Sequence, residues 1–227
     1  MCNRAAKIVI VCFFLLACSK NSIDSSAFQH NVTEGRTVVV FLGDSLTAGY
    51  GLNVNQAYPA RISQRWQREG INFQTRNAGI NGDTSAGALK RLDRVLLPDI
   101  HTVFLAIGAN DGLRSLPIVQ LRQNLIQIIE KIRAKGILVV MAGMRVPIGP
   151  TLDYPKQFRQ TYEQVAKEHN VPLLSFLLKD VIARPELNLA DAIHPNAQGQ
   201  QIIADNVFAF LKKQGFRWLS QLLVRMI

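Results

Sequence analysis

Ser45 stands just beyond the apolar run Val38-Val39-Val40-Phe41-Leu42, separated from it only by Gly43-Asp44. A serine that follows a buried strand sits where ligands collect in open α/β sheets, at the carboxyl ends of the strands. Its hydroxyl becomes a nucleophile only beside a neutral base and a third group that orients that base. The chain has four histidines. His30 falls in a polar segment, His101 opens an apolar strand, and His169 ends a helix, where a cation is expected on electrostatic grounds. His194 differs. In Asp191-Ala192-Ile193-His194-Pro195 a carboxylate lies three residues ahead of the imidazole, and the proline keeps the preceding residues extended or turned. The carboxylate can fold back onto Nδ1, fix the tautomer and leave Nε2 to face a hydroxyl. Taken alone, Asp-x-x-His reads equally well as a surface turn ahead of a helix cap.

Hydroxyl, base and orienter together describe acyl transfer, which also needs donors for a developing oxyanion. Two loops offer them. Asn77-Ala78-Gly79-Ile80-Asn81-Gly82-Asp83 has glycines whose backbone can approach a ligand closely. Gly108-Ala109-Asn110-Asp111-Gly112 brings the Asn110 amide. Each loop by itself is an ordinary turn, because Gly, Asn and Asp are turn residues. Jointly, three consecutive strand ends carry Ser, Gly and Asn, and a late loop carries Asp and His. Gly49-Tyr50-Gly51 lacks the third glycine of a dinucleotide fingerprint, and Ser45 lacks the flanking glycines of a Gly-x-Ser-x-Gly elbow.

The elements that must position these residues alternate. Strands are expected over 37–42, 71–76, 102–107, 137–142 and 171–174. Helices are expected over 56–69, 84–97, 118–134, 155–168 and 195–213, with Asp83 or Thr84 capping the second and Gly136 ending the third. Strands that alternate with helices imply right-handed crossovers and a parallel sheet. Continuous apolar runs such as Val38–Leu42 suit a sheet covered on both faces. The expected fold is a three-layer α/β/α sandwich in one domain, residues 36–214.

The first seven residues carry Arg4 and Lys7, and an apolar run over 8–17 follows that is too short to span a bilayer. This is a secretory signal pattern, residues 1–17. Leu15-Leu16-Ala17-Cys18-Ser19 resembles a lipobox, which would make Cys18 a lipidation site on an exported bacterial protein, periplasmic or membrane-anchored. Residues 18–35 read as a polar tether. All three cysteines, Cys2, Cys12 and Cys18, lie in the leader, so the body has no disulfide, cysteine nucleophile or Cys-ligated metal. The net charge of +10 is scattered over expected helix faces and fits solvation better than a nucleic-acid groove. At 7% aromatic residues, a stacking platform for single strands is not expected. The tail, 215–227, interleaves Phe216, Trp218, Leu219, Leu222 and Leu223 with Arg217 and Arg225; it packs back on the domain or lies on a membrane as an amphipathic helix.

Gly43-Asp44-Ser45-Leu46 matches the GDSL block, and Gly82, Gly108-Ala109-Asn110-Asp111 and Asp191-x-x-His194 match the other blocks of the SGNH hydrolases. The chain resembles that superfamily from about Arg36 to Leu211. Asn81-Gly82-Asp83-Thr84-Ser85, Gly108–Arg114 and Val171-Pro172-Leu173-Leu174 look like its bacterial thioesterase I/lysophospholipase L1 and arylesterase branch. The resemblance implies Ser45 as nucleophile, His194 as base, Asp191 as orienter, and an oxyanion hole from the Ser45 and Gly82 N–H groups and the Asn110 side chain. It also implies a flavodoxin-like parallel five-stranded sheet.

The implied reaction is hydrolysis of a small acyl ester or thioester, lysophospholipid included, by a monomer with neither cofactor nor metal. Asp44, Leu113, Arg145, Val146, Pro147, Ile148, Tyr154 and Ile193 are the expected substrate contacts, as an apolar groove for an acyl chain; Arg145 faces either an anionic head group or solvent. A carbohydrate O-acetyl esterase and a non-catalytic lipid- or glycan-binding lipoprotein are the alternatives.

Overall fold

The computed structural model describes residues 37–214. The expected signal peptide, Cys18, the tether over 18–35, Arg36 and the tail lie outside the described residues. Five strands, β1 (Thr37–Gly43), β2 (Phe73–Gly79), β3 (Ile100–Ala106), β4 (Leu138–Ala142) and β5 (Leu173–Leu174), form one sheet in the order β2-β1-β3-β4-β5. Every pairing is parallel. This is the flavodoxin-like order, in which chain direction across the sheet reverses between β1 and β3 and opens a crevice at their carboxyl ends. The helices are α1 (Ser45–Ala48), α2 (Tyr58–Arg68), α3 (Ser85–Val95), α4 (Ala109–Leu113), α5 (Ile118–Ala134), α6 (Tyr154–Glu168) and α7 (Ala197–Lys213). α2 packs with α7, and α5 packs with both α3 and α6. Right-handed crossovers running in opposite directions from β1 put these two groups on opposite faces of the sheet.

The core follows from the sequence of β1 and β3. Val39, Val40, Phe41 and Leu42 are fully buried, as are Val103, Phe104 and Leu105, which is the pattern of strands covered on both faces. Phe41 meets Tyr58 edge-on at 5.5 Å and Phe104 at 5.3 Å. α5 turns Leu121, Leu125, Ile128, Ile129 and Ile132 inward, as its 3.6-residue apolar period requires. β2 is an edge strand and only Phe73 in it is buried. Among the described residues no helix is long and apolar enough to cross a membrane.

Several boundaries differ from the sequence reading, each for a local reason. β5 is cut to Leu173–Leu174. Pro172 has no N–H to extend the ladder; its carbonyl accepts from Met141 instead. α7 begins at Ala197, because Asn196 caps it by accepting from the Gln198 and Gly199 N–H groups. Pro195 lies in an antiparallel bridge with Asn188. Thr84 caps α3, while Asp83 pairs with Arg91 at 2.8 Å. The short helices α1 and α4 were not anticipated; both stand at the carboxyl edge of the sheet, directly after β1 and β3.

Candidate active site

β1 delivers Ser45 to the sheet edge through a tight turn. A Cβ on Gly43 would lie 2.1 Å from Thr47 Oγ1 and 2.6 Å from the Ala106 carbonyl, so the turn closes only around glycine. Asp44 caps α1: its Oδ1 accepts from the Leu46 N–H at 3.0 Å. This residue is 0% exposed, and Oδ2 has no hydrogen-bond partner among the described residues. Burial pushes the Asp44 carboxyl up to about 7, against the pull of the Leu46 N–H, with nearby Asp83 and Asp111 adding to the rise. Asp44 therefore lies beneath the nucleophile's turn and does not reach the surface where a substrate contact was expected.

His194 comes from a loop between β5 and α7 that is closed at its base. The Leu189 N–H donates to the His194 carbonyl at 2.8 Å and the Asn196 N–H to the Leu187 carbonyl at 2.9 Å. At the tip, Asp191 Oδ1 accepts from the Ile193 and His194 N–H groups, both at 2.9 Å, and Oδ2 lies 2.6 Å from His194 Nδ1. Those backbone donors, first among them His194 N–H, lower the Asp191 carboxyl to about 2. Ala192 takes a left-handed φ of 55° between them, a conformation an L-residue holds at some cost. A carboxylate only accepts, so Nδ1 carries the imidazole proton and Nε2 is left as an acceptor. Nε2 lies 2.9 Å from Ser45 Oγ across 149 residues of chain. His101 and His169 lie at the other edge of the sheet, at the start of β3 and the end of α6.

α7 is also tied to the nucleophile's turn from below. The buried Gln200 accepts from the Tyr58 N–H at 2.8 Å and donates to the Leu46 carbonyl at 3.1 Å, so the helix that follows His194 holds α1 and the start of α2 together.

The expected oxyanion donors meet at the same edge. Neither the Ser45 nor the Gly82 N–H donates to another group among the described residues. Asn110 Nδ2 donates to the Asp83 carbonyl at 2.9 Å, which anchors the amide and leaves its second N–H without a partner among the described residues. Arg91 braces this side. Its Nε pairs with Asp83 Oδ2 at 2.8 Å, and Nη2 donates to the Gly43 and Ala78 carbonyls at 3.0 and 2.8 Å. Arg114 Nη2 donates to the Gly82 carbonyl at 2.8 Å. Beneath the loop, Asp111 takes the Ser85 N–H at 2.8 Å and the Ser85 hydroxyl at 2.5 Å, pinning the start of α3 to α4.

Of the expected substrate contacts, Leu113, Ile148 and Ile193 are exposed, as are Arg145 and Pro147. The Arg145 guanidinium sits 4.7 Å over the Phe176 ring. Val146 and Tyr154 do not line an open groove. Both are buried, Val146 beside Gly112, and the Tyr154 hydroxyl donates to the Leu116 carbonyl. They build the wall under the loop after β4. Residues the sequence reading passed over also belong to this edge: Ile80 and Leu152 are exposed beside it, and the Tyr50 ring lies 4.4 Å from the His194 ring. Leu152 carried no sequence signal beyond its place in a proline-rich loop. Tyr50 had one, in its position just after the Ser45 turn.

A parallel α/β/α sandwich with Ser, His and Asp hydrogen-bonded in series at its switch point, beside unpartnered N–H groups, is the arrangement of a serine hydrolase. The sequence matches the GDSL-like Lipase/Acylhydrolase family over residues 41–202, and the chain belongs to that family. It is 35% identical over 175 residues to the Esterase TesA of Pseudomonas aeruginosa, covering 77% of this chain and 87% of that protein. It is 36% identical over 168 residues to the Thioesterase 1/protease 1/lysophospholipase L1 of Escherichia coli, covering 74% of this chain and 79% of the relative. Among solved structures, the psychrotrophic esterase EstA from Pseudoalteromonas sp., inhibited by monoethylphosphonate, aligns with a TM-score of 0.75 at 30% identity, covering 78% of this chain and 98% of that one. These are the SGNH branch that the loop motifs resembled, and the chain is an esterase of the GDSL type.

Proposed function

We propose that the protein hydrolyses carboxylic esters or thioesters through an acyl-enzyme on Ser45. The observation that carries this reading is the unbroken series Asp191 Oδ2 to His194 Nδ1 at 2.6 Å and His194 Nε2 to Ser45 Oγ at 2.9 Å. Nε2 takes the hydroxyl proton as Oγ attacks the acyl carbon. The carbonyl oxygen becomes an oxyanion, held by the Ser45 N–H, the Gly82 N–H and the free N–H of Asn110 Nδ2. His194 gives the proton to the departing alkoxide or thiolate. Water, deprotonated by the same nitrogen, then releases the acid and restores Ser45. Because the oxyanion's charge exists mainly in the transition state, these donors act on kcat more than on KM.

The acyl portion is assigned to the exposed apolar side chains around the crevice, Leu113, Ile148 and Ile193 with Ile80 and Leu152. Each methylene buried against this apolar surface adds to binding, which favours longer chains. The relatives named esterase TesA and thioesterase 1/lysophospholipase L1 support an acyl substrate of this kind. Export with lipidation at Cys18, and action as a monomer, complete the proposal; the first is tested by mass spectrometry of the mature N-terminus.

The experiment is a panel of p-nitrophenyl esters and acyl thioesters of increasing chain length, run with Ser45→Ala as control. Expected are rates that rise with chain length to a plateau, and a loss on the order of 10⁴ or more in kcat for Ser45→Ala. Strict acetyl preference would point to a carbohydrate O-acetyl esterase, and no turnover at all to a binding protein.

A further inference from the structure

We infer that Tyr50 is a positioning residue for the His194 imidazole: the turn that presents the nucleophile also presents an aromatic face to its base. This rests on the serine-hydrolase reading above. The two rings are 4.4 Å apart between centroids and inclined by 35°, a tilted stack just under the short end, about 4.5 Å, of the usual spacing of attractive aromatic pairs.

The contact is built into the backbone of the Ser45 turn. α1 closes with Gly49 in the left-handed region at φ +78°, where only glycine is unstrained. The N–H groups of both Gly49 and Tyr50 donate to the Ser45 carbonyl at 3.1 Å. Ser45 and Tyr50 are thus the two ends of one hydrogen-bonded loop, and His194 lies against both. Its Nε2 meets the Ser45 hydroxyl, and its ring face meets the phenol. On the far side, a Cβ on Gly51 would lie 2.9 Å from Leu189 Cδ1. That close approach seats the Tyr50 segment against the base of the histidine loop.

Ser45 and Asp191 each hold one edge nitrogen of the imidazole. In-plane bonds at two edges still allow the ring to tilt about the line that joins them. A face contact removes that freedom. It also sets the electron-rich face of the phenol against the ring that becomes cationic during turnover. The tyrosine hydroxyl has no partner among the described residues, and the side chain is 46% exposed. The ring is what the site uses, so Tyr50→Phe should be silent. Little stability rests on so exposed a side chain.

The test compares Tyr50→Phe, Tyr50→Leu and Tyr50→Ala by three measurements. These are steady-state kinetics on p-nitrophenyl acetate and on a long-chain ester, the rate of Ser45 phosphonylation by a fluorophosphonate, and thermal melting. Expected for Tyr50→Ala is a fall in kcat of about tenfold on both esters alike, with KM within about twofold, and slowing of phosphonylation by a similar factor. Tyr50→Phe should keep wild-type values, Tyr50→Leu should follow Tyr50→Ala, and melting should be unchanged. The inference is overturned if Tyr50→Ala changes only KM for the long ester, which would make Tyr50 an acyl contact. It is equally overturned if Tyr50→Leu matches Tyr50→Phe, or if no variant differs from wild type. Wild type that resists the fluorophosphonate would instead sink the serine-hydrolase reading and this inference with it.

Discussion

Asn110 Nδ2 donates to the carbonyl oxygen of Asp83 at 2.9 Å, joining the loop after β3 to the loop after β2. One amide N–H is thereby fixed in the protein and the other is available to an oxyanion. Asn110→Ala should lower kcat on the order of 10²–10³ with little change in KM. Steady-state kinetics on one good substrate, with a melting curve for the variant, check this. A shift in Tm with turnover intact would make Asn110 a loop brace and no more.

Asp191 fixes the tautomer of His194, because its carboxylate can only accept at Nδ1. An amide there can present an N–H and stabilise the wrong tautomer. Asp191→Asn should cost on the order of 10³–10⁴ in kcat while leaving the fold intact. The Asp191 carboxyl is lowered to about 2, first by the His194 N–H, and so contributes to stability in a pH-dependent way. Its stabilising contribution is fully present above the ordinary 3.8. It is lost as pH falls from there through about 2, where the folded protein takes up the proton. Wild type minus Asp191→Asn, followed by denaturant unfolding from pH 5 to pH 2, should shrink over that window.

Asp44 behaves in the opposite sense. Below 3.8 its carboxyl is protonated in both folded and unfolded chains. Between 3.8 and about 7 only the unfolded chain releases the proton, so this group lowers stability as pH rises; above about 7 the effect is constant. Asp44→Asn should therefore gain on wild type by a few kcal/mol, roughly 4 at most, between pH 4 and pH 8. Paired unfolding curves across that range measure the difference. A pH-independent gap between the two proteins would show that Asp44 ionises normally in the fold.

Ala192 holds a left-handed φ of 55° at the tip of the histidine loop. Ala192→Gly should relieve strain of about 1 kcal/mol. For a domain of this size that corresponds to a rise in Tm of about 2–4 °C. A fall in Tm would mean that the turn tolerates alanine and that the added chain freedom of glycine dominates.

The order of the long strands and helices and the parallel sheet were legible without coordinates, and Ser45, Asn110, Asp191 and His194 stood out as candidates; Gly82 was singled out from Gly79 in its loop only by the family resemblance. The rest depends on short-range rules. Apolar runs of strand length name the buried strands, the 3.6-residue period names α5, and Gly, Asn and Asp after a strand name the loops. Short elements escaped the same rules, because α1 and α4 are too brief for a period to show. Asp44 was misplaced because adjacency in sequence does not tell which way a side chain turns. Val146 and Tyr154 were misplaced because an apolar loop residue can as well face the core as a ligand.

Tertiary structure alone decided the distances and the partners. Only the fold brings Oγ of Ser45 to 2.9 Å from a nitrogen 149 residues away. The Gln200 bridge and the Arg91 brace likewise have no sequence signature, and the place of Tyr50 just after the Ser45 turn did not tell that its ring stacks on His194. Local preference acts over a few residues and sets which elements form. The contacts that hold a reacting group in place run between elements far apart in the chain, and they exist only once the core has fixed where each strand ends.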